Sequence, residues 1–165
     1  MATSDLFDAE NYFTALTLSN RLAVREKFYP CMSSGPASLE GVVSNLKTQG
    51  AFVCIDDTIE STTYSRGGGY FVRRVFTVHV LMRYKSGDLV DRKQKLAVCR
   101  RLFRQFHSRI IRDKYSVEQL YYVDERNVMS RDYGQYFMNG ITGLYFVLQS
   151  NEPIDLCYNL DEWTT

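Results

Sequence analysis

Residues 70–84 read YFVRRVFTVHVLMRY, and this stretch decides the fold. Hydrophobic side chains recur at every second position, and only Arg74 interrupts them. The alternate positions carry a mixed set that includes Arg73 and His79. Period-two alternation of this kind predicts a β-strand in an antiparallel sheet whose apolar face packs on helices. The run is long for one strand, so we expect one of its ends to project beyond the core.

Four further segments are predicted to complete the sheet. The apolar run 51–55 (AFVCI) and the β-prone but polar run 60–65 (ESTTYS) precede the long strand, and two later runs follow it at 118–123 and 141–149. The residues that join 60–65 to the long strand predict a flexible hairpin tip; they are Arg66, Gly67, Gly68 and Gly69. A phosphate-binding loop is disfavoured there, because a strand and not a helix follows the glycines.

Three helices are predicted from apolar residues at three- and four-residue steps. The first runs from a cap at Ser4 or Asp5 to about residue 28, where Tyr29-Pro30 ends it, and residues 31–38 are expected to form a loop. The second covers about 37–47. The third covers about 89–114, with its turn and cap at 86–88.

The order of these elements predicts an α+β fold with segregated layers. We expect a mainly antiparallel sheet of about four to five strands, helices packed on one face, and a long projecting hairpin. The chain has 165 residues, which suits one domain over 1–150 followed by an acidic C-terminal extension over 151–165.

The sequence does not support a membrane protein or a redox protein. No apolar run approaches the roughly 20 residues that span a bilayer, and the N-terminus lacks the pattern of a secretory signal. The four cysteines (Cys31, Cys54, Cys99 and Cys157) form no Cys-x-x-Cys pair. We interpret them as buried thiols in a reducing compartment.

Catalytic and metal sites are also disfavoured. Asp56, Asp57 and Glu60 could bind a divalent cation, but adjacent side chains of a strand point to opposite faces, so a solvated strand end is the preferred interpretation. His79 and His107 lack a nucleophile or acid at a motif spacing and are interpreted as structural. The sequence therefore predicts a protein that is not an enzyme and that uses no cofactor and no metal.

The charge of the chain is strongly segregated. The net charge is only +1, yet residues 88–114 hold nine basic and three acidic residues, so this helix carries +6 and the remainder −5. Arg100, Arg101, Arg104 and Arg112 belong to this basic helix. The acidic residues of the extension, among them Asp155 and Asp161, are their natural complement in the same chain or in a neighbour.

The order of four segments resembles the bacteriophage tail terminator and tail-completion (neck) proteins. They are the apolar strand AFVCI, the long strand RRVFTVHVLMRY, the basic helix RKQKLAVCRRLFRQFHSRI and the late strand GITGLYFVL. The resemblance covers about residues 5–150 by pattern and topology and rests on no short motif. The acidic extension with Trp163 departs from the family pattern.

The resemblance implies a non-enzymatic virion subunit, made in the host cytoplasm, that forms a ring at the head–tail junction. Its partners would be identical copies, usually six, together with tail tube and neck proteins. Interface residues are expected on the basic helix, on the hairpin and in the extension. The set is Arg100, Arg101, Arg104, Arg112, Tyr64, Arg66, Gly67, Gly68, Gly69, Asp155, Asp161 and Trp163.

The residues alone also allow other functions. The basic helix could contact nucleic-acid phosphates, an alternative that is not favoured over assembly. Another neck or baseplate subunit of similar fold is equally compatible with the pattern. An enzyme with a site built from Asp56, Asp57 and His79 is the least favoured class.

Overall fold

A computed structural model describes residues 6–135 and 137–164 of the chain, apart from the side chain of Pro36. Four helices and six strands lie within these residues. The helices are α1 (Ala9–Ser19), α2 (Arg21–Arg25), α3 (Pro36–Asn45) and α4 (Leu89–Asp113). The strands are β1 (Phe28–Ser33), β2 (Ala51–Asp56), β3 (Glu60–Arg66), β4 (Gly69–Arg83), β5 (Met129–Asp132) and β6 (Ile141–Ile154).

The strands form one sheet in the order β1-β2-β4-β6-β5, and β3 pairs with the first half of β4. Only β1 and β2 are parallel, and every other described pairing is antiparallel. The predicted α+β class with a mainly antiparallel sheet is therefore confirmed. The predicted number of strands is too low, because the described part of the sheet has six.

The larger core lies between the sheet and three of the helices. Phe13 of α1, Phe106 of α4 and Phe146 of β6 meet there, with the ring of Phe13 centred 6.0 Å from that of Phe106 and 5.4 Å from that of Phe146. All three are fully buried. Aromatic contacts of this geometry stabilise a core beyond the area that they bury.

Helix α3 packs against the opposite face of the sheet. Its Leu39 and Val43 are buried in a second cluster with Phe52, Cys54 and Leu81, which point away from the larger core because side chains alternate along a strand. The prediction that the helices share one face is therefore wrong for α3.

The β3–β4 hairpin turns at the predicted glycines. Arg66 pairs with Gly69, and the two residues between them, Gly67 (φ 62°) and Gly68 (φ 83°), have the positive φ angles that two-residue hairpin turns require. The end of β6 continues along the other edge of β4, so these strands form a three-stranded ribbon. The side chains of β3 are exposed apart from the half-buried Tyr64.

The N-terminal helical region differs from the prediction in two ways. Two helices replace the single one, because Asn20 ends α1 and also caps α2 through a hydrogen bond from Ala23 N to its Oδ1 at 2.9 Å. Asp8 caps α1, whereas Ser4 and Asp5 lie outside the described residues. The predicted loop after the helix begins as strand β1.

The cysteines also depart from the prediction. Cys31 of β1 and Cys54 of β2 are direct partners in the parallel ladder and form a disulfide. Cys99 is a buried free thiol, as expected, and Cys157 is an exposed one. The expectation of four buried thiols therefore holds for Cys99 alone.

Two later segments correct the predicted boundaries. Residues 118–123 are not a strand: they hold the 3₁₀ turn Glu118–Leu120, with Leu120 and Val123 buried. Strand β6 runs to Ile154, whereas the sequence predicted a strand over 141–149. None of the described helices combines the length and the hydropathy that a membrane crossing requires.

Candidate assembly interface

Helix α4 presents a row of arginines on the side opposite the core. Asp88 starts the helix by accepting hydrogen bonds from Val90 N at 3.0 Å and Asp91 N at 2.9 Å. Arg101, Arg104 and Arg112 are exposed, and no acidic side chain in the described part of the chain lies within ion-pairing distance of them. These three charges remain available to a partner.

Two other cations of α4 are already paired. Arg100 forms an ion pair with Asp132 of β5, so this predicted interface residue is compensated within the chain. Arg109 pairs with Asp113 at 2.7 Å. Asp113 also accepts a hydrogen bond from the Tyr12 hydroxyl at 3.1 Å, and burial together with this carboxylate raises the pKa of Tyr12 well above its usual value.

A groove of about 390 Å³ separates α4 from α1 and α2, and we call it the α1–α4 groove. Leu16 and Phe106 supply its apolar floor. The basic residues of its wall are Arg21, Arg109 and Arg112, and none of the described residues that line it is acidic. The groove is therefore a largely polar depression, with a small floor of two nearly covered apolar side chains and a positively charged rim.

The C-terminal segment, residues 155–164, leaves the sheet after β6 and is exposed throughout. Its large apolar side chains retain more than half of their accessible surface; they are Leu156 (54%), Tyr158 (72%), Leu160 (63%) and Trp163 (63%). The rings of Tyr158 and Trp163 stack, with centroids 6.0 Å apart. This segment thus carries apolar surface that the described part of its own chain does not cover.

Acidic side chains accompany these apolar residues. Asp155 and Asp161 are exposed, as is Glu162. Asp155 accepts a hydrogen bond from Cys157 N at 2.9 Å, and this bond holds the pKa of its carboxyl group below the usual range. Glu152, in contrast, belongs to β6 and is buried, so it is not part of the acidic surface that the sequence predicted.

The predicted hairpin residues lie on the ribbon. Tyr64 donates a hydrogen bond from its hydroxyl to Asn151 Oδ1 at 3.2 Å, and its ring stacks on Phe71. Arg66 and the glycine turn are exposed except for the half-buried Gly69. Ile154, the last residue of β6 before the C-terminal segment, pairs with Tyr70 beside this turn. The hairpin and the start of the segment therefore share one end of the molecule.

Two of the three acidic residues considered as metal ligands, Asp56 and Asp57, have other partners. Asp56 is buried and accepts hydrogen bonds through Oδ1 from Gly35 N, Thr58 N and Thr58 Oγ1. Asp57 accepts one from Ser34 Oγ at 2.8 Å. In residues 6–135 and 137–164, no group of three or more His, Cys, Asp or Glu side chains is arranged to hold a metal ion.

His79 lies on the face of the sheet that carries the second cluster. Its Nδ1 hydrogen-bonds the Tyr133 hydroxyl, and its Nε2 is buried with no partner among the described atoms. Burial lowers the pKa of His79 to about 4, although the nearby Asp56 opposes the shift. The imidazole is therefore neutral at pH 7. His107 hydrogen-bonds through Nε2 to the Glu125 carbonyl at 2.7 Å.

The sequence located the basic helix and the acidic segment but not the α1–α4 groove. Arg21 was not singled out, because a single arginine in a short helix carries no pattern. Asn20, which separates α1 from α2, lines the groove and hydrogen-bonds Gln105 of α4 through Nδ2 at 2.9 Å. No protein-family model matches this chain, and a search of the curated proteins returns no match.

Proposed function

We propose that this protein is a non-enzymatic structural subunit that works by assembling with copies of itself. The observation that carries the proposal is the exposed C-terminal segment, in which four large apolar side chains share ten residues with three acids. A contiguous apolar surface of this kind usually marks an interaction site. Aromatic side chains such as Tyr158 and Trp163 are also enriched in interface cores.

The separation of charge supports self-assembly in particular. The same chain carries an acidic segment at one place and an uncompensated basic helix face, with Arg101 and Arg104, at another. When two such surfaces lie apart on one subunit, head-to-tail contacts between copies generate a ring if the rotation closes. One chain therefore carries both surfaces of such a contact, and no second protein is needed.

A bacteriophage virion is the proposed setting. The resemblance of the long strand, the basic helix and the late strand to tail terminator and tail-completion proteins supports a ring at the head–tail junction. In that setting the exposed ribbon, with Tyr64 and the turn at Gly67–Gly69, would present edges and side chains to tail tube or neck proteins. A different neck or baseplate subunit with the same mode of assembly is the nearest variant of the proposal.

Sedimentation velocity of the full chain tests the proposal. We expect the sedimentation coefficient to rise with protein concentration at low salt and to fall as salt is added, because opposite charges meet across the contact. A strictly monomeric protein at high concentration, both at low salt and at high salt, would overturn it.

Nucleic-acid binding is the second candidate, and the exposed arginines of α4 favour it specifically. Arg101, Arg104 and Arg112 could each neutralise a phosphate, which would give an affinity that falls steeply with salt. Fluorescence anisotropy with a DNA duplex and an RNA hairpin tests this function. Salt-dependent binding by a monomer, abolished by Arg101→Glu with Arg104→Glu, would favour this candidate over assembly.

A further inference from the structure

The C-terminal segment and the α1–α4 groove have complementary properties. The segment is acidic and apolar, and the groove has an apolar floor and a basic rim. Among the described residues, Arg21 and Arg112 of this rim form no ion pair, so their charges are not already balanced. Contact between the two would join opposite charges and cover the exposed apolar side chains of the segment.

The spacing of the segment's apolar residues suits a shallow groove. Leu156, Tyr158 and Leu160 are two residues apart, so they line one edge when the 3₁₀ turn Leu160–Glu162 opens and the segment is fully extended. Asp155 precedes them and Asp161 follows. In that conformation Asp155 and Asp161 lie on the opposite edge, so the apolar edge can face the groove while the acids face the arginines of its rim.

The segment does not fill the groove of its own chain. All of its described residues are exposed, and none of them lines the groove. The stretch from Ile154 to Trp163 can span about 30 Å when extended, which is the diameter of a small domain. This length allows the segment to reach across a subunit boundary.

We propose that the C-terminal segment of one copy docks in the α1–α4 groove of a second copy. The inference rests on the proposed function, because it requires that the chain assemble with itself, and it identifies the surfaces that do so. Two copies that exchange segments form a closed two-fold dimer, whereas a one-way contact is heterologous and leaves one segment and one groove for the next copy. Successive contacts then build a ring or a filament.

A charge exchange in the full-length chain tests the contact. Arg21→Glu with Arg112→Glu should lower the association constant tenfold or more, since like charges then face each other. Asp155→Lys with Asp161→Lys should do the same. Combining all four substitutions should restore association. Arg131→Glu, an exposed arginine on β5, is the matched control and should leave association unchanged.

Cross-linking locates the contact directly. Cys157 lies in the segment and is exposed, whereas Cys99 is buried and the other two cysteines form the disulfide. A short bismaleimide should therefore link Cys157 to Ser108→Cys in the groove and give covalent dimers and higher multimers. Ser130→Cys on β5 and the pair Ser108→Cys with Cys157→Ser should give none.

The outcomes separate this inference from the proposed function. If the protein assembles but the exchange has no effect and no cross-link forms, the docking is wrong and the proposed function stands. A cross-link within one chain would show that the segment occupies its own groove, and this result also overturns the docking. A monomer under all conditions overturns both. DNA binding lost in Arg21→Glu with Arg112→Glu, with association unchanged, would assign the groove to nucleic acid instead.

Discussion

Arg74 and Glu152 form a buried, two-point ion pair between neighbouring strands. Arg74 Nε lies 2.6 Å from Glu152 Oε2, and Arg74 Nη2 lies 2.6 Å from Glu152 Oε1. The same two side chains hold the backbone of Phe7: its N–H donates to Glu152 Oε1 and its carbonyl accepts from Arg74 Nη2, each at 3.2 Å. The pair therefore fastens the chain ahead of α1 to β4 and β6.

Removing either partner should destabilise the fold strongly. We expect Arg74→Met or Glu152→Met to lower the free energy of unfolding by about 3–5 kcal/mol, because the remaining charge stays buried without a partner. Urea denaturation of each variant measures this loss. The double variant should lose less than the sum of the two single variants. Strict additivity would show that the interaction between the two side chains does not contribute to stability.

Gly143 should be intolerant of any side chain. Its φ is +151°, and an added Cβ would come 2.0 Å from the Val80 carbonyl oxygen on the paired strand. Since backbone must move to relieve this clash, we expect Gly143→Ala to cost about 2–4 kcal/mol in thermal or urea unfolding. The matched control is Gly41→Ala, which faces open space in α3 and should stabilise by about 0.5–1 kcal/mol. Equal stability of the two variants would contradict the close approach of β6 to β4 at this residue.

Stability should fall between pH 6.5 and pH 4 through His79. The folded protein keeps this imidazole neutral because its pKa is about 4, whereas the unfolded chain takes up a proton near pH 6.5. The unfolded state then binds more protons, so the free energy of unfolding decreases as pH falls, by up to about 3 kcal/mol. Below pH 4 both states are protonated and this contribution levels off.

Urea titrations at several pH values measure this dependence. His79→Gln keeps a hydrogen-bonding group beside Tyr133 but cannot titrate, so its stability should depend less steeply on pH over the same interval. An unchanged slope in this variant would contradict a neutral, buried His79.

The exposed arginines of α4 should strengthen association through long-range attraction to acidic side chains. We expect Arg101→Glu with Arg104→Glu to weaken association severalfold at about 50 mM salt and to have little effect at about 500 mM, where charges are screened within a few ångströms. Sedimentation velocity at both salt concentrations measures this difference. An equal loss at both would mean that these arginines are buried in the contact.

The parts of the fold that were predicted are those with strong hydrophobic periodicity. The alternation in 70–84 and the helical stripe in 89–114 identify β4 and α4 closely. Strand β1 was missed because Pro30 suggests a break. Pro30 is tolerated there because β1 is an edge strand, where one side of the backbone needs no ladder hydrogen bonds. Strand β5 was missed because it is short, polar and exposed.

The candidate site was predictable only in its charges. The excess of arginine in α4 and the acids after residue 154 can be read from the sequence. The side chains that each of them contacts cannot. In the sequence Arg74 interrupts an apolar face, and only the pairing of β4 with β6 brings Glu152 within reach of it. Residues 118–123 suggested a strand by composition, but Leu120 and Val123 are buried three residues apart, the spacing of a 3₁₀ turn.

Native mass spectrometry of the full-length chain tests the central claim most directly, because it counts the subunits in each species. We predict a closed oligomer of defined stoichiometry at low salt, six subunits if the resemblance to tail terminators holds. The same experiment on Arg21→Glu with Arg112→Glu should yield mainly monomer. A wild-type protein that remains monomeric at every concentration would contradict self-assembly.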